Sequence, residues 1–492
     1  MTSRPGPFVL FLILAWLDAA VAVLALPRFY EPADSDAAQM RLLPGVPGNP
    51  DAAAAVANKA VGRHTVLQQN DSLCDAGTRQ WTGTVSLGAG RDMFFWYYES
   101  RSDPAADPLL LWLNGGPGAS SMIGGLYEIG PCIVNNDAQS TRRNAHSWAN
   151  AANLLVIDQP IGVGLSYTHD PSLWAESLKD AGIDLDKFLD GFFDIFPDLD
   201  DGRPVHFAGE SFGGKYVPHY ADMTRRRFDS IVLVDPYIDP ALTSLGLYEH
   251  MCRRAAPSGH PRFLNETICE AMEHGYLTCE TFGDLCRTTY DARVCQQAIS
   301  ACQLSIDMWW DIKDGDPDPY DDRRNCTWQE EPPVCGGMGM DIVTDFLNVP
   351  RVKGALGMAH INYTIVNAPL NARWSEQPDT TVPSSREIAH LLDVKETRVL
   401  VLNGNNDVSV STETTIKVLD KLKWSGHARF LQETLQPWLY FNGSSLVRGG
   451  ETKSQGALTL VTVDDAGHQS PENQREATVQ VFNKWIRHES LV

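Results

Sequence analysis

Gly209-Glu210-Ser211-Phe212-Gly213 sets a serine between two glycines, each two residues away. An apolar run, Val205 to Ala208, precedes it, and a helical pattern, Lys215 to Arg225, follows. A strand, a sharp turn and a helix in that order make a nucleophile elbow, which lifts the hydroxyl clear of the backbone. A serine hydroxyl attacks only when a base takes its proton and a carboxylate orients that base. Downstream, Asp407 ends Asn403-Gly404-Asn405-Asn406-Asp407, just past an apolar run, and His468 lies in Ala466-Gly467-His468, just past the last one. Serine, then aspartate, then histidine, each after a strand, is the chain order of the α/β-hydrolase triad. Acyl transfer also needs donors for the charge that develops on the carbonyl oxygen. Asn114-Gly115-Gly116-Pro117-Gly118 follows the apolar run Leu109 to Leu113 and can turn its amides toward the serine. The Gly116 N–H and the N–H of Phe212, directly after the serine, are the expected oxyanion donors. A phosphate loop would continue into G-K-[ST], which is absent here.

These groups need a frame. Leu109 to Leu113, Leu154 to Ile157, Val205 to Ala208, Ile231 to Val234 and Val399 to Leu402 are short apolar runs, read as central parallel strands. Alternation around Trp81, Val85, Phe94 and Tyr97 predicts antiparallel strands ahead of them, joined at a Gly-Ala-Gly turn. Leu185, Phe188, Leu189, Phe192, Phe193 and Phe196 repeat at helical spacing and read as a core face. Leu458 to Val463 is a late strand, followed by a loop and a C-terminal helix over Glu472 to Ile486. Strands alternating with helices predict an α/β-hydrolase fold, a mostly parallel central sheet flanked by helices. In such folds the strand ends at the carboxyl edge form the ligand site.

The segment from about 239 to 337 breaks the rhythm and holds eight of the ten cysteines. Their spacings are longer and less regular than the close pairs of a zinc cluster, so disulfides are expected, in an insertion that caps the active site. Residues 1–25 carry Arg4, an apolar run and Ala20-Val21-Ala22, the pattern of a cleaved signal peptide. Residues 26–70 read as a flexible leader or propeptide, and 71–490 as the catalytic domain. Five N-x-[ST] sites, at Asn70, Asn265, Asn325, Asn362 and Asn442, suit N-linked glycans. A net charge of −22 disfavours a nucleic-acid or anionic-membrane partner. No stretch after the leader is long enough for stable membrane insertion.

Longer motifs surround the elbow. Trp112-Leu113-Asn114-Gly115-Gly116-Pro117-Gly118-Ala119-Ser120-Ser121 resembles the signature of the serine carboxypeptidases. So do Glu128-Ile129-Gly130-Pro131, Ser147-Trp148, Ile157-Asp158-Gln159-Pro160, Gly164-Leu165-Ser166-Tyr167, and Gly209 through Pro218. The likeness runs from about Leu73 to Ile486. It implies removal of single residues from peptide C-termini at acid pH, with Ser211 as nucleophile, His468 as base and Asp407 as its orienter. It further implies that Trp112, Asn114, Glu128 and Glu210 hold the substrate's free carboxylate. Two carboxyls beside a third cannot all stay ionised, so one must keep a proton and donate it. Peptides or proteins with a free C-terminus are the implied partners, and no metal or organic cofactor is implied.

Departures from the family pattern fall at Ala119, Leu165, Phe212, Asp235 and Gln469. They bear on the leaving-group pocket and on side-chain preference. Asp314 to Asp322 mimics a calcium loop, but its sixth and twelfth positions are Pro319 and Asn325, so a solvated acidic turn is expected. The rivals are an acyltransferase or esterase on the same scaffold, with a relaxed carboxylate clamp, and a non-catalytic relative, which would lack a triad member.

Overall fold

The computed structural model describes residues 64–254, 263–327, 335, 340–375 and 377–491. By contact the chain divides into Met1–Ala55 and Val56–Val492, and every described residue lies in the second unit. The expected signal peptide and the leader as far as residue 63 lie outside the described residues.

Eleven strands run through the main sheet. They are β1 (Thr65–Gln69), β2 (Gln80–Gly88), β3 (Arg91–Tyr98), β4 (Leu109–Leu113), β5 (Asn153–Ile157), β6 (Val205–Glu210), β7 (Ser230–Val234), β8 (Arg398–Gly404), β9 (Gln436–Asn442), β10 (Ser445–Gln455) and β11 (Leu458–Val463). Their spatial order is β1-β2-β3-β5-β4-β6-β7-β8-β11-β10-β9, and the short strand Tyr167–Thr168 pairs with β3 as the twelfth. The six central strands, β5 to β11 in that order, are parallel. Antiparallel strands flank them on both sides.

Burial on both faces explains why the central strands are runs of Leu, Val and Ile. Leu109, Leu111 and Leu113 of β4 enter one core, while Leu110 and Trp112 enter the other. The first core is closed by the aromatic stripe of α1 (Leu178–Ile195) and by α2 (Gly213–Met223). Further helices are α3 (Pro240–Tyr248), α4 (Glu266–Thr289), α5 (Ala292–Ser305), α6 (Thr412–Lys421) and α7 (Arg475–Ile486). Phe482 and Trp485 of α7 close the second core, where Phe482 stacks on Trp148 with ring centroids 4.4 Å apart.

Two expectations need correction. Thr65–Gln69, read as part of the leader, is instead the edge strand β1, so the ordered fold begins before residue 71. Thr65 Oγ1 bonds Thr84 Oγ1 across the pair at 2.8 Å, and a Cβ at Gly83 would lie 2.0 Å from the Thr65 carbonyl oxygen. The acidic turn, for its part, is exposed only at its start, at Asp314 and Gly315. Pro317–Asp318 pairs with Asp321–Asn325, and Asp318, Asp321 and Asp322 are buried. Arg323 bonds Asp321, and His250 bonds Asp322, so these carboxylates lose water but gain partners.

Disulfides join Cys252–Cys269, Cys279–Cys302, Cys286–Cys295 and Cys326–Cys335 in the insertion, and Cys74–Cys132 outside it. Cys279–Cys302 and Cys286–Cys295 staple α4 against α5, whose own buried residues are few. A segment with so small an apolar core relies on such cross-links for its order.

Candidate active site

The register of the parallel strands brings their carboxyl ends level. Leu113 stands opposite Gly209, Val234 opposite both Glu210 and Leu402, and Gly404 opposite Val463. The residues that follow each strand therefore meet at one edge of the sheet. Ser211 follows β6 at φ +60°, a left-handed conformation that costs a residue with a side chain on the order of 1–3 kcal/mol. The Ser211 N–H donates to Val234 O at 3.0 Å, and its carbonyl accepts the N–H of Gly214 and of Tyr237. Those bonds hold the strained turn. A Cβ at Gly209 would sit 2.6 Å from the Val217 side chain, so glycine there lets α2 close onto β6. The hydroxyl is left half-buried.

Asp407 and His468 come together as the sequence predicts. His468 Nδ1 lies 2.7 Å from Asp407 Oδ2, and Asp407 Oδ1 accepts Val410 N–H at 3.0 Å. Both side chains are buried. Burial works against the imidazolium, but the Asp407 charge and hydrogen bond outweigh it and hold the His468 pKa above the usual histidine range. Ser211 Oγ makes no hydrogen bond to His468 in this structure. Such bonds are commonly long before substrate arrives.

The glycine-rich loop after β4 meets the elbow directly. A Cβ on Gly115 would lie 2.3 Å from Phe212 N and 2.7 Å from Glu210 O, a contact that only glycine permits. Gly116 is exposed, at φ +106°. Phe212 is the N-cap residue of α2, at an end where N–H groups lack intrahelical acceptors. Asp158 anchors the far side of this loop: Oδ1 accepts Ser120 Oγ at 2.6 Å and Ser121 N–H at 2.8 Å.

Trp112, Asn114, Glu128 and Glu210 form one buried cluster. Trp112 Nε1 and Gly124 N–H donate to Asn114 Oδ1 at 2.7 and 2.9 Å. That fixes the Asn114 amide, whose Nδ2 points at Glu210 Oε1 (3.1 Å) and Glu128 Oε1 (3.4 Å). The second oxygen of each carboxyl is buried without a hydrogen-bond partner. Burial, and then the neighbouring Glu128 charge, raise the Glu210 pKa well above the ordinary carboxyl value. Burial also raises that of Glu128. The cluster thus retains a proton where isolated glutamates would have lost theirs, and can donate it to an incoming anion.

Three positioning groups went unassigned from sequence. Asp235 is wholly buried; its Oδ1 accepts Gly404 N–H at 2.6 Å and its Oδ2 accepts Ser470 N–H at 3.2 Å. It thereby ties the Asp407 loop to the His468 loop. Burial, with the nearby Asp407 charge, pushes its pKa up to about 8. Tyr320, in the acidic turn, lays its ring 4.6 Å from that of His468, and its carbonyl accepts His468 N–H at 2.7 Å. Asp158 appears in the sequence only as part of a motif. The available signal for Asp235 was its place directly after a central strand; Tyr320 offered none, because its partners lie far along the chain.

A family model described as "Serine carboxypeptidase" matches residues 72–488. A vacuolar serine-type carboxypeptidase of Saccharomyces cerevisiae is 32% identical over 416 residues, covering 83% of this chain and 79% of that protein. Carboxypeptidase Y homolog A of Trichophyton tonsurans is 30% identical over 426 residues, covering 84% of this chain and 75% of that protein. Among solved structures, a prohormone-processing carboxypeptidase from Saccharomyces cerevisiae superposes with a TM-score of 0.71 at 21% identity, covering 85% of this chain and 92% of that one. That last likeness is one of fold.

Proposed function

The chain belongs to the serine carboxypeptidase family and is a serine-type carboxypeptidase, and we propose that Ser211, His468 and Asp407 carry its chemistry. Ser211 Oγ attacks the carbonyl carbon of the last peptide bond while His468 Nε2 takes the hydroxyl proton. The Asp407 carboxylate receives Nδ1–H and stabilises the imidazolium, in keeping with the 2.7 Å contact. The N–H groups of Gly116 and Phe212 receive the oxyanion. As the C–N bond breaks, Nε2 returns the proton to the departing amine, and the C-terminal amino acid leaves. Water then repeats the sequence on the acyl-enzyme and frees the shortened peptide.

One observation carries the exopeptidase reading in particular: the buried Asn114–Glu210–Glu128 cluster, whose Glu210 directly precedes Ser211 in the chain. A proton-bearing acid pair beside a fixed amide suits a terminal carboxylate, with Trp112 holding the amide in place. An internal peptide bond offers no anion to this cluster. The pair must retain a proton to bind substrate, which favours acid pH, while His468 must shed its own to act as base, which limits activity on the acid side. The substrates are peptides and proteins with a free C-terminus. The vacuolar name of one relative and the five sequons support a compartment reached through the secretory pathway, extracellular or vacuole-like. All five sequon asparagines are exposed, which suits N-linked glycans.

The test offers the purified protein an N-blocked dipeptide as its free acid and as its C-terminal amide, from about pH 4 to about pH 7. The free acid is hydrolysed far faster, and Ser211→Ala abolishes that hydrolysis. Equal turnover of the two peptides, or turnover of esters alone, would assign the protein to an esterase or acyltransferase function. Undiminished turnover by Ser211→Ala would remove the serine from its role.

A further inference from the structure

A second histidine lies in a buried network behind the triad. His250 sits in the π-helical turn Glu249–Arg253 that follows α3, and its side chain has no exposure. Its Nε2 is 2.8 Å from Asp322 Oδ2 and its Nδ1 is 3.1 Å from Glu413 Oε2. A neutral imidazole has one N–H, so it can donate to only one of two carboxylates. With an acceptor at each nitrogen, the ring satisfies both only as the imidazolium. The ring also stacks on Phe263, with centroids 5.6 Å apart.

The network's far end reaches the triad loop. Asp322 Oδ1 accepts Asn406 Nδ2 at 2.7 Å, and Asp322 N–H donates to Asn406 O at 2.9 Å. Asn406 directly precedes Asp407. Glu413 lies in the first turn of α6, just after the same loop. Arg254, adjacent to the His250 turn, donates to Asn405 O and brings a Nη1 within 3.5 Å of His250 Nδ1. The two carboxylates that hold His250 therefore bracket the loop that presents Asp407, from the hairpin and from α6, while Arg254 bonds the loop itself.

We propose that His250 is a positioning residue for the hydrolytic reaction: its imidazolium, held between Asp322 and Glu413, fastens the insertion to the Asp407 loop. The proposal rests on the reading of Asp407 given above. The charged and titratable groups around the ring are Asp322 from the hairpin, Glu413 from α6, Arg254 just after its own turn, and Asp407, whose charge the ring also feels. Burial opposes the charge, as does Arg254. The hydrogen bonds to Asp322 and Glu413, with the Glu413 charge, overcome both and hold the ring's pKa above the ordinary histidine value. Loss of the proton at higher pH leaves one carboxylate without its donor, and the loop loses a fastening. Acid conditions keep it in place.

The experiment follows hydrogen exchange of the peptide spanning residues 403–410 at about pH 5 and about pH 8, after correction for intrinsic rates, in the wild type and in His250→Gln. Carbon-13-labelled histidine reports the ring itself, its resonance assigned by its loss in the variant. The wild-type ring titrates above the ordinary histidine pKa, and protection of 403–410 falls across the same pH range. His250→Gln shows the weaker protection at both values. Its kcat drops by roughly ten- to a hundredfold, as displacements of up to about 1 Å do, while KM changes by less than about twofold. A ring that titrates at or below the ordinary value overturns the proposal. So does exchange of 403–410 that ignores both pH and the variant. The wild-type exchange measurement stands even if His250→Gln fails to fold, and His250→Asn then serves to assign the resonance. Asp407→Asn separates the two readings: if it leaves kcat intact, the role of Asp407 fails, whereas the exchange data still judge the fastening.

Discussion

At the scale of single residues, Glu210 is the side chain we propose turns a hydrolase serine toward chain ends. The residue is 4% exposed, and burial and the Glu128 charge raise its pKa well above the ordinary value. A raised carboxyl pKa means a proton kept at acid and neutral pH and released only above. Once it leaves, the pocket's negative charge repels a substrate carboxylate. KM for a free-acid peptide should therefore climb at the alkaline end, by about tenfold per pH unit once the pair has ionised. Glu210→Gln keeps an oxygen for Asn114 Nδ2 and a permanent donor where the proton was. Its KM should stay nearly flat over that range with kcat little changed, as read from initial rates on an N-blocked dipeptide. A KM that climbs as steeply as the wild type's would place the controlling proton elsewhere. The sequence makes this pair legible only through motif resemblance, because Glu128 and Glu210 lie 82 positions apart. Their meeting depends on β4 lying beside β6, which no local pattern encodes.

At the scale of elements, the site exists because loops that leave adjacent strands pack backbone to backbone. Gly115 is the tightest such point, where an added methyl would meet Phe212 N at 2.3 Å. Gly115→Ala must push the loop carrying Gly116 away from the elbow. Loss of one oxyanion donor costs about a hundred- to a thousandfold in kcat. A fall of that order, with unfolding still cooperative, is the expected result from steady-state rates and a thermal melt. Activity within about threefold of wild type would show that Gly116 is not a donor. The elements themselves were unevenly legible. Strands buried on both faces announce themselves as apolar runs, and β4 to β8 and β11 lie where those runs do. The hairpin β9–β10 does not, because Leu439, Phe441 and Leu446 face outward and blur its alternation. The turn around Tyr320 was misread for a related reason. Clustered aspartates usually mark solvent, but here Arg323 beside them binds Asp321, and His250 and Asn406 arrive from elsewhere to bind Asp322.

At the scale of the whole molecule, five buried acids shift in one direction. Burial raises Asp235 to about 8 and Asp158 and Asp307 to about 6, and raises Glu128 and Glu210 as well. Each carboxyl binds its proton more tightly folded than unfolded. The stability this contributes is complete below the unfolded value near 4, and is lost as pH rises through the folded one. The raised histidines, His250 and His468, act in the same direction above about 6.5. His206 opposes them: burial lowers its pKa to about 4, so its contribution is lost as pH falls below about 6.5. With a net charge of −22 the chain also repels itself more as it deprotonates. The melting temperature should accordingly peak in mildly acid solution and decline steadily toward pH 8. Each group still protonated only when folded contributes a slope of about 1.4 kcal/mol per pH unit. Asp235→Asn isolates one of them. Its amide nitrogen would face Ser470 N–H, donor against donor, so the variant should melt lower at about pH 5, at a cost of about 1–3 kcal/mol. It can no longer titrate, so its decline between about pH 6 and about pH 8 should be shallower than the wild type's by one proton's worth. Melting curves at half-unit intervals would read both effects. Parallel declines would mean that Asp235 is ionised in the folded protein throughout, held by its two backbone donors despite its burial beside Asp407.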